Sequence, residues 1–344
     1  MFAAFVSACG GGEDGSGDST SITSATPPGP TADPTGDPSE GSGGGVPTSG
    51  GEGTTGSVDV STGGTTADEP KLDIGMPDFG GDETGSELGC RFIDVLFVVD
   101  ISASMSEEKD NLNANFPAFV TVLDEYVADH AAEGYRLGVT NSSIVLNNEG
   151  ESSFGLDGAL FGGDNLLTPD CDLGGNLWID GPGAGVADTF ACLAPLPKSG
   201  CNNCTDIGKE RPLDAIEMFV EKSAMGGVNE GFYRGQDALF VVILLTDEDD
   251  DANNTTTNPA ATIAALSGFT GGDSRFVVVT IAGPANDSCD SAFGSAAPAP
   301  TLHAFTGMAV NGLIGDICEG DLAQSLAEAL MLIQSSCDSL PPPG

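Results

Sequence analysis

Basic residues are scarce in this chain of 344 residues, and their scarcity excludes whole classes of partner. Ten Lys and Arg stand against 52 Asp and Glu, which gives a formal net charge of −42. Residues 1–89 hold 15 acids and one lysine, and the remainder holds 37 acids and nine bases, so both parts are acidic. Nucleic acid and anionic membrane surfaces would be repelled. The acidic balance favours cations, basic ligands or plain solubility.

Histidine and long apolar runs are also nearly absent. The two histidines are His130 and His303, and the sequence has no G-x-S-x-G motif, which argues against a serine hydrolase. The longest apolar run, residues 239–245, has the length of a core strand and not of a bilayer span. We therefore expect a non-enzymatic protein without a transmembrane helix in the folded part.

Aromatic and branched apolar residues are few between residues 10 and 89, where Gly, Ser, Thr, Pro and acids dominate. Such a segment cannot bury enough apolar surface to offset the entropy of ordering it. We predict a disordered acidic linker at 10–89. Folding then begins near Cys90, and residues 90–344 suit a single α/β domain.

Strand and helix patterns alternate through this domain. Strands are predicted at 93–99, 135–139, 238–246 and 276–281, and amphipathic helices at 107–129, 212–223, 259–266 and 321–334. The strands are continuous apolar runs, which is typical of parallel sheets buried on both faces. This order predicts a doubly wound parallel sheet with helices on both faces. The Gly-rich stretch at about 142–204 breaks the alternation and is predicted to be an insertion.

The nine cysteines point to an oxidising compartment. Eight of them lie in the folded part, and we treat them as disulfide candidates: Cys90, Cys171, Cys192, Cys201, Cys204, Cys289, Cys318 and Cys337. The preferred pairs are Cys90–Cys337, which would join the two ends of the domain, and Cys289–Cys318. Cys201 and Cys204 form an isolated C-x-x-C, for which a structural disulfide is favoured over zinc or redox chemistry.

Cys9 follows the short apolar segment Val6-Ser7-Ala8 and precedes Gly10. This arrangement resembles a bacterial lipobox, with residues 1–9 as a truncated signal, although the segment before Cys9 is short and lacks a basic start. The resemblance implies lipidation at Cys9, with the linker acting as a tether. The expected location is extracytoplasmic, on the bacterial outer membrane, and the lipid would be the only membrane contact.

Two predicted strands end in carboxylates. LFVVD ends at Asp100, ILLTD ends at Asp247, and Asp100 opens the motif D-x-S-x-S with Ser102 and Ser104. Because ligands bind at the carboxyl ends of parallel strands, these side chains are predicted to converge. The set offers only oxygen ligands, which suits Mg²⁺, Mn²⁺ or Ca²⁺ and not zinc.

The D-x-S-x-S motif after one buried strand, together with Leu245-Thr246-Asp247 after another, resembles the von Willebrand factor type A domain. The resemblance covers about residues 92–336. It implies a metal-ion-dependent adhesion site in which two serines and a threonine contact the cation, Mg²⁺ above all. The two Asp would act mostly through water, and a carboxylate from a protein ligand would complete the shell.

The threonine of this site is assigned to Thr205, because it lies just before a predicted helix, with Ser199 and Thr140 as alternatives. The sequence departs from the family after Asp247, where Glu248-Asp249-Asp250-Asp251 replaces the usual glycine. These acids would hold a second cation or be solvated. The combination of lipobox, acidic tether and Cys-rich domain also resembles surface lipoproteins of myxobacteria.

Four other interpretations compete with a metal-dependent adhesion module. The D-x-S-x-S motif could be a helix N-cap, since serine caps and first-turn acids are common. A haloacid-dehalogenase-type phosphotransferase would need a second Asp at position 102, where this chain has Ser, and a metal-dependent hydrolase is a further, less favoured alternative. A passive, disulfide-rich surface protein without metal-dependent binding is the main alternative.

Overall fold

The structure is a computed structural model, and it describes residues 89–130, 132–144, 155–162, 171–194, 196, 210–250, 253, 255–319 and 322–340. Several predicted features lie outside these ranges: Cys9, almost all of the linker, much of the insertion, Ser199, Cys201, Cys204 and Thr205.

A six-stranded sheet forms the centre of the domain. In chain order the strands are β1 (Phe92–Val99), β2 (Gly134–Asn141), β3 (Ile179–Gly181), β4 (Ala238–Leu245), β5 (Phe276–Ala282), β6 (Cys289–Ser291), β7 (Gly294–Ala296) and β8 (Gly312–Asp316). The sheet has the order β3-β2-β1-β4-β5-β8, while β6 and β7 form a separate antiparallel hairpin. Every pairing in the sheet is parallel except that of β3 with β2.

Helices cover both faces of the sheet. They are α1 (Ser106–Asp129), α2 (Val186–Leu193), α3 (Pro212–Lys222), α4 (Pro259–Thr270), α5 (Pro300–Met308) and α6 (Leu322–Ser339). Side chains alternate along β1: Val95 and Phe97 join the core formed with α1, α2 and α6, whereas Leu96 and Val98 join the core formed with α3, α4 and α5. The prediction of a parallel sheet flanked by helices is confirmed in part, because the sheet is mostly parallel. Among the described helices, none is long and apolar enough to cross a membrane.

The elements missed in the sequence are short. The predicted insertion contributes β3, which pairs with β2 and extends the sheet, and α2, whose Phe190 packs against Phe97 with ring centroids 4.8 Å apart. Strands of three residues carry no readable alternation, which is why β3, β6 and β7 were not predicted. The sheet is therefore mixed and not wholly parallel, with an antiparallel strand at one edge.

Three disulfides stabilise the described part of the chain. Cys90–Cys337 joins the segment just before β1 to α6, and Cys289–Cys318 joins the β6–β7 hairpin to the turn after β8. Both pairs were predicted. Cys171–Cys192 closes a short segment that ends on α2. Each pair holds a chain segment that the sheet itself does not fix.

Removal of the terminal disulfide should destabilise the domain more than removal of the insertion disulfide. Cys90 and Cys337 are 247 residues apart, whereas Cys171 and Cys192 are 21 apart, and the entropy lost by the unfolded chain grows with loop length. We expect C90S/C337S to lower the free energy of unfolding by roughly 2–5 kcal/mol, and C171S/C192S by less. Urea denaturation of both variants checks the order, and a reversed order would contradict it.

Candidate functional site

The register of the central strands brings the two predicted carboxylates together. β1 and β4 are parallel neighbours with Val99 opposite Leu245, so the residues that follow each strand emerge side by side. The backbone N–H of Asp100 donates to the carbonyl of Leu245 at 2.9 Å. Asp100 and Asp247 therefore lie at the same edge of the sheet, as the sequence predicted.

The Asp100 carboxylate is fully buried and held in place by two donors. The backbone N–H of Ser102 donates to Oδ1 at 2.6 Å, and the hydroxyl of Thr246 donates to Oδ2 at 2.9 Å. Thr246 was not among the predicted site residues, although it directly precedes Asp247. Its role is to orient the buried carboxylate.

The two serine hydroxyls lie next to each other and next to Asp247. Ser102 Oγ and Ser104 Oγ are 2.9 Å apart, and Ser102 Oγ donates to Asp247 Oδ1 at 3.4 Å. Neither the 3₁₀ turn Ala103–Met105 nor α1 has a side-chain N-cap hydrogen bond. The helix-capping interpretation is therefore wrong, because the hydroxyls face the carboxylates instead of the backbone amides.

Glu210 is the site residue that the sequence analysis missed. It is buried, it lies two residues before α3, and the hydroxyl of Ser142 donates to its Oε2. Its other oxygen, Oε1, has no hydrogen-bond partner among the described residues. Burial, and next the negative charge of Asp100, raise the pKa of Glu210 well above its usual range. The one signal in the sequence was a position just before a predicted helix, and the sequence analysis used this signal to choose Thr205 instead of Glu210.

Glu108 extends the acidic group at the start of α1. It is buried, and both of its carboxylate oxygens lack hydrogen-bond partners among the described residues. Burial, followed by repulsion from Asp247 and the other nearby acids, raises the pKa of Glu108 to about 7. Burial and the charge of Asp100 similarly raise the pKa of Asp247 to about 6, against the effect of a hydrogen bond from Ser104.

The described residues show no ion pair that balances the charge of this group. Within the described ranges, no Lys or Arg forms an ion pair with Asp100, Glu108, Glu210 or Asp247. Buried carboxylates are normally paired or bound to a metal, because an isolated buried charge is costly. The all-oxygen donor set and the orphaned oxygen of Glu210 fit a hard divalent cation.

Of the three residues considered for the threonine position of the site, the structure describes only Thr140. Thr140 is buried in β2, and its hydroxyl donates to the carbonyl of Ala159 at 2.8 Å, so it is engaged away from the carboxylates. Ser199 and Thr205 are outside the described residues. Thr205 thus stays a prediction, while Glu210 comes close to Asp100 from the same pre-helical segment.

Two acids of the run after Asp247 accept hydrogen bonds from the first turns of helices. Asp249 accepts the backbone N–H groups of Thr301 and Leu302 at 3.1 Å, which are in the first turn of α5. Asp250 accepts the N–H of Leu213 at 3.0 Å, in the first turn of α3. Free N–H groups at a helix start favour a carboxylate, so these two acids act as helix caps. A solvated role is wrong for the buried Asp250, and no second cation is required to explain either acid.

The β6–β7 hairpin forms a wall beside the site. The backbone N–H of Ala297, just after β7, donates to the carbonyl of Asp247 at 2.8 Å. Gly294 lies against the Glu108 carboxylate so closely that a Cβ added there would be 1.6 Å from Oε1. The far side of the hairpin is bonded to Cys318 through Cys289. The disulfide therefore holds a wall of the acidic group in place.

A second metal-like group, Cys289, Asp316 and Cys318, has its donor atoms within 4.8 Å of one another. Its two cysteines are joined in a disulfide, and thiolates are the form in which cysteine binds metals. This group is therefore a covalent link and not a metal centre in the oxidised protein.

Comparisons with known proteins identify no family for this chain. No family model matches it, and no curated protein matches it. Similar solved structures include proximal thread matrix protein 1 from the mussel byssus, with a TM-score of 0.38 and 14% identity over 71% of this chain and 49% of that one. Another structure of that protein gives a TM-score of 0.32 and 16% identity over 74% of this chain and 48% of that one.

Another is the pilus adhesin SpaC from Lactobacillus rhamnosus GG in an open conformation, with a TM-score of 0.35 and 14% identity over 72% of this chain and 30% of that one. The chain spans about half the length of the mussel protein and less than a third of the adhesin. Similarity at this level leaves the function to be argued from the chain's own residues.

Raised carboxyl pKa values predict that the cation-free protein loses stability as the pH rises. Asp247, Asp250 and Glu108, with pKa values of about 6, 6 and 7, keep protons in the folded state that the unfolded chain releases at about pH 4. Unfolding therefore releases protons between about pH 4 and pH 7, and the free energy of unfolding falls across this window.

Urea denaturation in the presence of a chelator, at about pH 5 and about pH 7.5, measures this difference. D247N and E108Q should each reduce it, whereas D129N, at the exposed far end of α1, should leave it unchanged. Stability that rises between the two pH values would contradict the prediction.

Proposed function

We infer that this protein is an extracytoplasmic binding module that holds a divalent cation at the carboxyl ends of β1 and β4. The observation that carries this inference is the arrangement of the two serine hydroxyls. They lie against Asp247 and make no helix-capping hydrogen bond, in a group of buried carboxylates that have no ion pair with a described basic residue. A cation would supply the missing positive charge.

Each residue of the site has a part in holding the cation. Ser102 and Ser104 offer hydroxyl oxygens, and Asp100 and Asp247 offer carboxylates, directly or through water. Glu210 offers the buried oxygen that has no partner in the described part of the chain. Thr205 stays a predicted ligand. Mg²⁺ is the preferred ion, because a compact oxygen set with retained water suits its coordination, with Mn²⁺ and Ca²⁺ as alternatives.

The bound cation would act as a Lewis acid that attracts an anionic group from outside. Ser104 is exposed, so the site opens to solvent on the side of the serines. We infer that the partner is a protein that presents a carboxylate there, as the resemblance to the von Willebrand factor type A domain implies. The lipid anchor at Cys9 and the tether of residues 10–89 complete the proposed cell-surface module.

A structural role for the cation is the second candidate, and Glu210 is the observation that favours it. Three carboxylates around one divalent cation leave a net negative charge, which would repel an incoming carboxylate. In that case Glu210 itself would fill the position that a partner would otherwise take. The protein would then be a disulfide-rich surface protein stabilised by its metal.

We propose a non-enzymatic role in either case. The hydrogen bonds of both histidine rings go to backbone carbonyls: His130 Nδ1 lies 3.1 Å from Tyr126 O, and His303 Nε2 lies 3.0 Å from Gly283 O. A serine nucleophile needs a base within hydrogen-bond reach. Neither ring has a serine as a hydrogen-bond partner in the described ranges.

Direct cation binding tests the common part of both candidates. Calorimetry of the full chain with Mg²⁺, Mn²⁺ and Ca²⁺ should give saturable binding. A cation at 100 times its dissociation constant should stabilise the fold by about 2.7 kcal/mol. D100A and D247N should weaken binding at least about tenfold, or about 1.4 kcal/mol. D129N is the matched control, because it removes an exposed acid roughly 35 Å along α1. No binding to the wild type would reject both candidates.

Peptide binding separates the two candidates. Binding of the magnesium-loaded chain is measured on arrays of peptides that differ only in a central Asp or Asn. The binding module predicts that Asp peptides bind, that Asn peptides do not, and that a chelator releases them. It also predicts that E210Q strengthens this binding, because one competing negative charge is removed.

Equal binding of Asp and Asn peptides by a chain that does bind Mg²⁺ would reject the binding module and leave the structural cation. That candidate predicts that E210Q weakens cation binding without creating any preference for Asp peptides.

A further inference from the structure

A cavity lies far from the acidic group, in the segment closed by the Cys171–Cys192 disulfide. Its volume is about 280 Å³, and its polar lining residues are Asp172, Asn176, Asp180 and Thr189, with Trp178 as its aromatic residue. β3 pairs with the beginning of β2, where Arg136 lies opposite Asp94 on β1. Asp94 is six residues before Asp100, which places this cavity roughly 20 Å from the cation site along the strand direction.

Arg136 fixes two sides of this cavity. Its Nε donates to Asp180 Oδ1 at 2.9 Å, and its guanidinium carbon lies 4.9 Å from the centre of the Trp178 ring. Its Nη1 donates to the backbone carbonyls of Gly231 and Phe232. The edge of Trp178 also packs against the Phe232 ring, with centroids 5.9 Å apart. The indole and the carboxylate are therefore held in place before any ligand arrives, as is usual for binding pockets.

The charge of these walls decides what kind of ligand fits. Asp180 is already neutralised by Arg136, and the π face of Trp178 already carries that guanidinium, so a cationic ligand would gain little. An anion would meet the carboxylate of Asp172, which lines the cavity, in a chain of net charge −42. A neutral ligand avoids both penalties.

The remaining hydrogen-bonding capacity suits hydroxyl groups. Asp180 Oδ2 accepts from Asn176 Nδ2 at 3.3 Å and has a further lone pair. The amide of Asn176 and the hydroxyl of Thr189 each both donate and accept, as a sugar hydroxyl does. The part of the indole that lines the cavity, away from the face that Arg136 covers, supplies an apolar surface for the C–H side of a sugar ring. Carboxylate, amide and hydroxyl groups beside one tryptophan thus match a polyol that has one apolar face.

We propose that this cavity binds a neutral carbohydrate through a single sugar unit, with Trp178 against the ring and Asp180, Asn176 and Thr189 on its hydroxyls. The volume of about 280 Å³ is slightly below the range of roughly 300–1,000 Å³ for drug-sized ligands, which limits the occupant to about one sugar ring. The site does not depend on the cation, so it stands independently of the function proposed above.

The experiment uses the emission of Trp178, which is the only tryptophan of the chain and therefore reports on this cavity alone. The full chain is titrated with glucose, galactose, mannose and N-acetylglucosamine, in chelator and in Mg²⁺. Glycerol controls for solvent effects, and choline tests the cationic alternative. At least one sugar should give a saturable shift in intensity or wavelength that is the same with and without Mg²⁺.

Two variants locate the bound sugar. T189V keeps the size of the side chain and removes its hydroxyl, and D180N keeps the shape and removes the charge; each should weaken binding at least fivefold. T301V, a matched change at the start of α5, should leave it unchanged. Circular dichroism confirms that the variants are folded, and T189V provides the test if D180N is not.

The proposal is overturned if no sugar gives a saturable change, or if choline saturates and sugars do not. It is also overturned if folded T189V and D180N both bind sugar as the wild type does, since the sugar would then lie elsewhere.

Discussion

Mutual repulsion among buried carboxylates is the constraint around which this domain is built. Asp100, Asp247 and Glu210 come from three separate segments and meet where the central strands end. Burial first, and the charge of Asp100 next, raise the pKa values of Asp247 and Glu210, so protons relieve part of the repulsion in the cation-free protein. A divalent cation would replace those protons, so cation binding and pH act on the same groups.

The turn after β4 connects this repulsion to the rest of the fold. Thr246 orients Asp100, while Asp249 and Asp250 hold the first turns of α5 and α3. Thr246, Asp249 and Asp250 thus connect the site to two of the three helices on one face of the sheet. Any shift of this turn would be transmitted to α3 and α5 through the hydrogen bonds that their first N–H groups donate to the Asp250 and Asp249 carboxylates.

The sequence predicts those features of the protein that depend on a short run of neighbouring residues. The apolar runs of β1 and β4 identify the strands, and the polar residues at their ends identify Asp100, Ser102, Ser104 and Asp247 because parallel strands end at one edge. Glu210 could not be found in this way. Its position depends on how a long segment returns to β2, where Ser143 and Glu210 form an isolated bridge, and no local pattern encodes that return. The strand β3 was missed for a similar reason, since three residues contain no periodicity.

The hairpin beside Glu108 has a consequence for the order in which the molecule matures. Its link to the turn after β8 is the Cys289–Cys318 bond, and such bonds form where thiols become oxidised. In a reduced chain the backbone hydrogen bond from Ala297 to Asp247 would still hold one side of this wall, but the covalent link on its far side would be missing. The wall next to the acidic group would therefore become fully fixed only when these two cysteines are oxidised.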